Sequence, residues 1–221
     1  MESVIKLKLK LREEDKRILE SQSRICNWLY NRLLEQGNEL KKQYLATNDL
    51  ELSKILYTKR GLRNLIPSMK SEYPFLKSVH SSPLKNVGLR LSESIQAYQK
   101  SRKGARKGKA TGWPRFRANK VKAFSLLYDE PKKSFKLNGK QLRLSLGVNE
   151  EGKRHYVNAE VEKSIGSFAD AEIRQLRIKQ DLGQFFAIFT IKRETPPKKM
   201  SQGKRVIALD PNHKNLSWGG G

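Results

Sequence analysis

Asp210 is the residue best placed to do chemistry in this sequence. It closes the apolar run Val206-Ile207-Ala208-Leu209 and is followed at once by Pro211 and Asn212. An apolar run of this kind reads as a buried strand, and a carboxylate fixed at its end is a hard oxygen ligand of the sort Mg²⁺ takes. Two-metal phosphodiester cleavage needs several such carboxylates around ions about 3.5–4 Å apart, so Asp210 alone cannot build that centre. A plainer reading also stands, in which Asp210 caps a turn through Asp210-Pro211-Asn212. His213 is a lone histidine, and a lone exposed histidine usually ligates nothing. Cys26 is the single cysteine. It can form no internal disulfide, it sits in an apolar helical stretch where a buried thiol is expected, and without a CxxC pair no zinc site is expected.

The second feature with chemical content is charge. The chain has 46 Lys and Arg against 22 Asp and Glu, for a net charge of +24. Such an excess repels itself unless a polyanion neutralises it, which points to phosphate backbones. The cations are densest in an acid-free run: Lys100, Arg102, Lys103, Arg106, Lys107, Lys109, Arg115, Arg117, Lys120 and Lys122. Gly104, Gly108 and Gly112 interrupt it. A run like this is expected to be flexible when free and to order on a backbone. Trp113 and Phe116 lie within it as stacking candidates, although Trp113 reads equally well as a ring tucked into the core. The first residues alternate Ile and Leu with Lys and lack an apolar signal core, and no run reaches membrane-spanning length. The expected location is therefore the cytoplasm, in association with the nucleoid.

These residues need elements to hold them. Val4, Leu7, Leu9 and Leu11 with Lys6, Lys8 and Lys10 between them predict a strand with one packed face. The lysine face either meets phosphates or guards a solvated edge. The period then turns helical. Ile18, Ile25, Leu29, Leu33, Leu40 and Tyr44 predict a helix from about residue 12, with a break expected at Gly37. Asn48 and Glu51 have capping-box spacing for a second helix, carrying Leu52, Ile55, Leu56 and Leu62 and ending at Pro67. Ser82 and Pro83 start a third, with Leu84, Val87, Leu91, Ile95 and Tyr98 on one face. From about residue 121 to 194 the pattern is β, with hairpin turns expected at Asn138-Gly139, Asn149–Gly152 and Asp181–Gly183. Short strands and regular turns suggest a small barrel or sandwich. If strand 3–10 joins that sheet, the helices are an insertion between strands.

Three stretches together resemble the TnpB (OrfB) family of insertion-sequence proteins, relatives of the compact type V CRISPR effectors. Ile5 to Leu34 is similar to the family's opening segment, with Trp28-Leu29-Tyr30-Asn31-Arg32 matching its aromatic-Asn pair. Gly112-Trp113-Pro114-Arg115-Phe116-Arg117 is similar to its Gly-aromatic-Pro-basic-Phe-basic signature. Val206 to Leu216 resembles its first RuvC motif, departing from it at Asn212 and Ala208, where the family commonly has glycine.

The resemblance covers nearly the whole chain and implies an α+β fold. Residues 1–11 and 112–195 would form a wedge-type β-barrel and residues 12–111 an inserted helical recognition lobe with its basic linker. A linker at 196–204 would lead to residues 205–221, the first strand of a truncated RNase-H-like (RuvC) domain. It implies a guide (non-coding) RNA and a target double-stranded DNA with an adjacent motif as partners. Asp210 would be both catalytic residue and Mg²⁺ ligand in the full-length family. With one carboxylate of the set, the chain is expected not to cut DNA alone. The expected nucleic-acid contacts are Lys103, Arg106, Lys107, Lys109, Arg115, Arg117, Lys120 and Lys122, with Trp113 and Phe116 stacking, and Lys6 and Lys8 on the first strand. Asn31 and Arg32 also belong to this set, or are helix-surface residues with local hydrogen bonds. Two rival readings use the same charge: an RNA-independent DNA-binding repressor or transposase accessory protein, and a structural ribonucleoprotein component.

Overall fold

A computed structural model describes residues 2–105, 108–118, 124–149, 151–164 and 172–193. Arg106, Lys107, Lys120, Lys122, the 196–204 linker and the whole of 205–221, with Asp210, lie outside the described residues. The described chain is α+β. Strand β1 (Glu2–Lys10) comes first, four helices follow, and strands β2 (Phe124–Tyr128), β3 (Phe135–Asn138), β4 (Gln141–Val148), β5 (Arg154–Val161), β6 (Glu172–Asp181) and β7 (Gln184–Lys192) come last. All seven strands form one antiparallel sheet in the order β2-β6-β7-β1-β5-β4-β3. β1 thus lies mid-sheet, paired with β7 from Glu2 to Leu9 and with β5 through Leu9 and Lys10. The helices are therefore inserted between the first strand and the rest of its sheet.

Alternation along β1 follows the pleat. Leu7 and Leu9 are buried while Lys6, Lys8 and Lys10 are exposed. Val4 departs from the expected packing face: it shares the lysine face and is 65% exposed. The buried faces meet one another. The rings of Phe135 on β3 and Phe189 on β7 are 6.5 Å apart, although these strands are four places apart in the sheet. Four steps across a flat sheet would span about 19 Å. The sheet therefore curls, and Leu142, Leu144, Val157, Leu176, Ile178 and Phe189 fill its inner face.

The turns form where Asn and Gly place them. Asn138 pairs with Gln141, leaving Gly139-Lys140 as the loop, with Gly139 at φ 57°. Asp181 pairs with Gln184 around Leu182-Gly183, both at positive φ, the conformation that suits the twist of a two-residue hairpin. At the turn from β4 to β5, the Asn149 side chain accepts from the Lys153 backbone N–H at 2.8 Å.

The helices are α1 (Glu13–Thr47), α2 (Leu50–Tyr57), α3 (Ile66–Glu72) and α4 (Ser81–Arg102). α1 runs 35 residues without a break at Gly37, contrary to the sequence expectation. Gly37 is buried, and a Cβ there would lie 3.8 Å from Ile95 and Leu56. Packing by α2 and α4 outweighs the cost of about 1 kcal/mol that glycine brings to a helix. The buried stripe of α1 is Leu19, Cys26, Leu29, Leu33 and Leu34; the expected Ile18, Ile25 and Leu40 flank it, partly covered. Three end signals differ from expectation. Asn48 ends α1 in a left-handed conformation, and Asp49 caps α2 by accepting from the Glu51 N–H. Pro67 sits in the first turn of α3, where no backbone N–H is needed, and so begins a helix instead of ending one. His80 caps α4 through Nδ1, which accepts from the Ser82 N–H at 3.1 Å, so the helix begins one residue before Ser82. No helix among the described residues is long and apolar enough to cross a membrane.

Candidate nucleic-acid interface

Two of the three motif stretches meet. Asn31 on α1 donates from Nδ2 to the Arg117 carbonyl at 2.9 Å and accepts from the Arg117 N–H at 2.8 Å. One amide thus satisfies both backbone groups of a residue 86 positions away. The Arg117 side chain folds back onto the same helix. Its guanidinium lies 3.7 Å from the centre of the Tyr30 ring and donates to Asn27 Oδ1 at 3.1 Å. Burial pushes this guanidinium below its usual value. Trp113 is held alongside: its indole N–H donates to Asn38 Oδ1 at 2.7 Å, Tyr98 meets it edge-on, and Lys41 lies 4.2 Å over the ring. Residues 112–117 are therefore clipped to α1 by contacts within the protein.

The other expected contacts divide between free and occupied groups. Arg115 and Phe116 are exposed beside the clip. Lys103, at the end of α4, and Lys109 are exposed too. Arg32 is engaged by Glu35 at 2.6 Å and Glu72 at 3.8 Å, with Tyr73 beneath it. Its hydrogen bond to Glu35 is the first cause that raises its pKa. Lys6 lies 4.1 Å over the Phe186 ring, and Lys8 projects from the same outer face of the sheet. Cys26 is buried as expected, its thiol pushed up to about 12 by burial, and it is inert at neutral pH.

A second group of cations, among the described residues, lies where the helical insertion meets the sheet. A cleft of about 740 Å³ is lined by Lys70 and Lys77 from the helical side. Lys132, Lys133, Lys136, Arg143 and Arg154 line it from the sheet side. Gly147, on β4 opposite the helices, allows the close approach: a Cβ there would lie 1.8 Å from the Lys77 carbonyl oxygen. The junction is also pinned by Lys85 on α4, which bonds Glu130 at 2.5 Å and Asp129 at 3.4 Å. Among the described residues Glu130 is the single carboxylate of the lining, and Lys85 bonds it.

Lys77, Lys132, Lys133, Lys136 and Arg154 take part in no ion pair among the described residues. Arg143 is laid over the Tyr156 ring, its guanidinium 4.7 Å from the centre. His80 completes the helical wall, its pKa lowered first by burial. Sequence reading misses this cleft because its cations are scattered from Lys70 to Arg154, a separation no local window spans. The only local signal is Lys132-Lys133 with Lys136, which resembles an ordinary polar turn.

No three His, Cys, Asp or Glu side chains among the described residues come together in a way that could hold a metal ion. Asp210, the Mg²⁺ ligand that the resemblance implies, lies outside these residues. No protein-family model matches this chain, and no curated protein matches it.

Proposed function

We propose that this chain is the guide-RNA- and target-DNA-binding part of an RNA-guided DNA endonuclease of TnpB type. One observation carries the reading. A helical unit is inserted after the first strand of a curled antiparallel sheet, and the seam between them is a cleft lined, among the described residues, by seven cations and one already paired carboxylate. On this reading the sheet is the wedge-type barrel, residues 12–111 are the recognition lobe, and residues 205–221 begin the RuvC domain. A guide RNA and its heteroduplex are gripped through their backbones, while base pairing reads the sequence. Asp210 contributes one carboxylate to a cleavage centre that needs several, so the proposal for this chain is binding.

The test is to purify the chain through a high-salt wash and sequence the RNA that stays bound. One dominant non-coding RNA is the expected result. A diffuse mixture of cellular RNAs, or sequence-specific duplex DNA binding by RNA-free protein, would overturn it.

A further inference from the structure

The cleft has more than charge. Arg143 and Tyr156 stand on neighbouring strands of the sheet's outer face, the guanidinium lying over the ring. Ser145, directly opposite Tyr156 in the register, ties the 129–134 turn down by donating from Oγ to the Lys133 carbonyl at 2.9 Å. Lys132 and Lys133 are thereby held at the rim beside the stacked pair. Lys136 pairs across from Arg143 on β3, so its side chain leaves the same face. Lys77 closes the cleft from the helical side. Cations on two walls with few acids to answer them form a groove that tracks a phosphate backbone.

The stacked pair says what form of backbone fits. In a duplex, both faces of an internal base are covered by its neighbours. A ring and a guanidinium plane set in the lining of a basic cleft can be used only by a base that is unstacked, which is how single strands are held.

We propose that the cleft binds a short single-stranded stretch of polynucleotide, with phosphates on Lys77, Lys132, Lys133 and Lys136 and one base stacked on the Arg143–Tyr156 pair. The inference rests on the nucleic-acid reading above and adds the strandedness of the ligand and the residues that take it.

The experiment uses the full chain and a fluorescein-labelled 12-nucleotide uridine-rich RNA, alone and annealed to its complement, with anisotropy as readout. The single strand should bind more tightly than the duplex. Tyr156→Leu should weaken single-strand binding about five- to a hundredfold, and Tyr156→Phe, which keeps the ring, should restore it. Replacing Lys132, Lys133 and Lys136 with alanine should lower the log–log salt slope by about 2. A 4-thiouridine version should crosslink to Tyr156 or its immediate neighbours, which reports on the wild-type chain and so does not depend on how any variant folds. Duplex preference, indifference to Tyr156→Leu, or crosslinks confined to other surfaces would overturn the inference and leave the nucleic-acid reading standing. A wild-type chain that binds neither form would overturn both.

Discussion

The clip and the cleft are both basic, and they use their cations in opposite ways. At the clip, Arg117 is half-buried, stacked on Tyr30 and bonded to Asn27, and its backbone is satisfied on both sides by Asn31. At the cleft, cations from two parts of the chain line open space, and the one carboxylate among the described lining residues is occupied by Lys85. Sequence density of lysine and arginine does not separate the two cases. The partner each cation finds in the fold does. A cation whose donors are spent inside the protein contributes to stability, and one left facing a cleft remains available to a polyanion.

The comparison can be broken most easily at the seam. Gly147→Val places a side chain against the Lys77 carbonyl. It should cost several kcal/mol, on the scale of severe core substitutions, and should appear as a loss of both melting temperature and RNA affinity. Alanine at Lys132, Lys133, Lys136 and Arg143 together should lower RNA affinity by on the order of a hundredfold at 0.15 M salt. The melting temperature should barely move, since exposed substitutions stay within about ±0.5 kcal/mol each.

Asn31→Ala is the mirror experiment. It leaves the N–H and C=O of Arg117 without their partner and should cost about 1–3 kcal/mol by denaturant unfolding, with little change in RNA affinity for the protein that remains folded.

The smallest expected effect is pH-dependent. The His80 pKa is lowered in the fold from an ordinary value of 6.5, chiefly by burial, and its Nδ1 must be unprotonated to cap α4. The unfolded chain therefore takes up a proton first as pH falls. The contribution is present above about 6.5 and is lost as pH drops through the folded value. His80→Asn keeps a capping acceptor and removes the titration, so it should flatten this part of a stability–pH profile.

Much of the architecture is legible in the sequence because it is written locally. The alternation of β1, the Asn-Gly and Asp-Leu-Gly turns and the apolar face of α4 each lie within one window, and the insertion of helices after the first strand follows from them. Helix ends are less legible: Asp49 rather than Asn48, and His80 rather than Ser82, make the capping bonds. Neighbouring polar residues compete for that role, and packing decides. The continuity of α1 through Gly37 is likewise decided by α2 and α4, far along the chain. At the clip, the motif residues Asn31, Trp113 and Arg117 could be singled out by type, but the contacts that tie residues 113–117 to Asn27, Asn31 and Asn38 on α1 span 75 to 90 positions. The cleft could not be read at all, since Lys77, Arg143 and Arg154 become neighbours only when the sheet curls against the helices.

The central claim is that the cleft, and not the clip, is the nucleic-acid interface. Its most direct test is the salt dependence of RNA binding measured in parallel for the wild-type chain, the Lys132/Lys133/Lys136/Arg143→Ala variant and Arg117→Ala. The account predicts a log–log slope lower by about 2 for the cleft variant, one increment for each of the three phosphate-binding lysines, and unchanged for Arg117→Ala. An unchanged slope for the cleft variant, with a fall for Arg117→Ala, would contradict it.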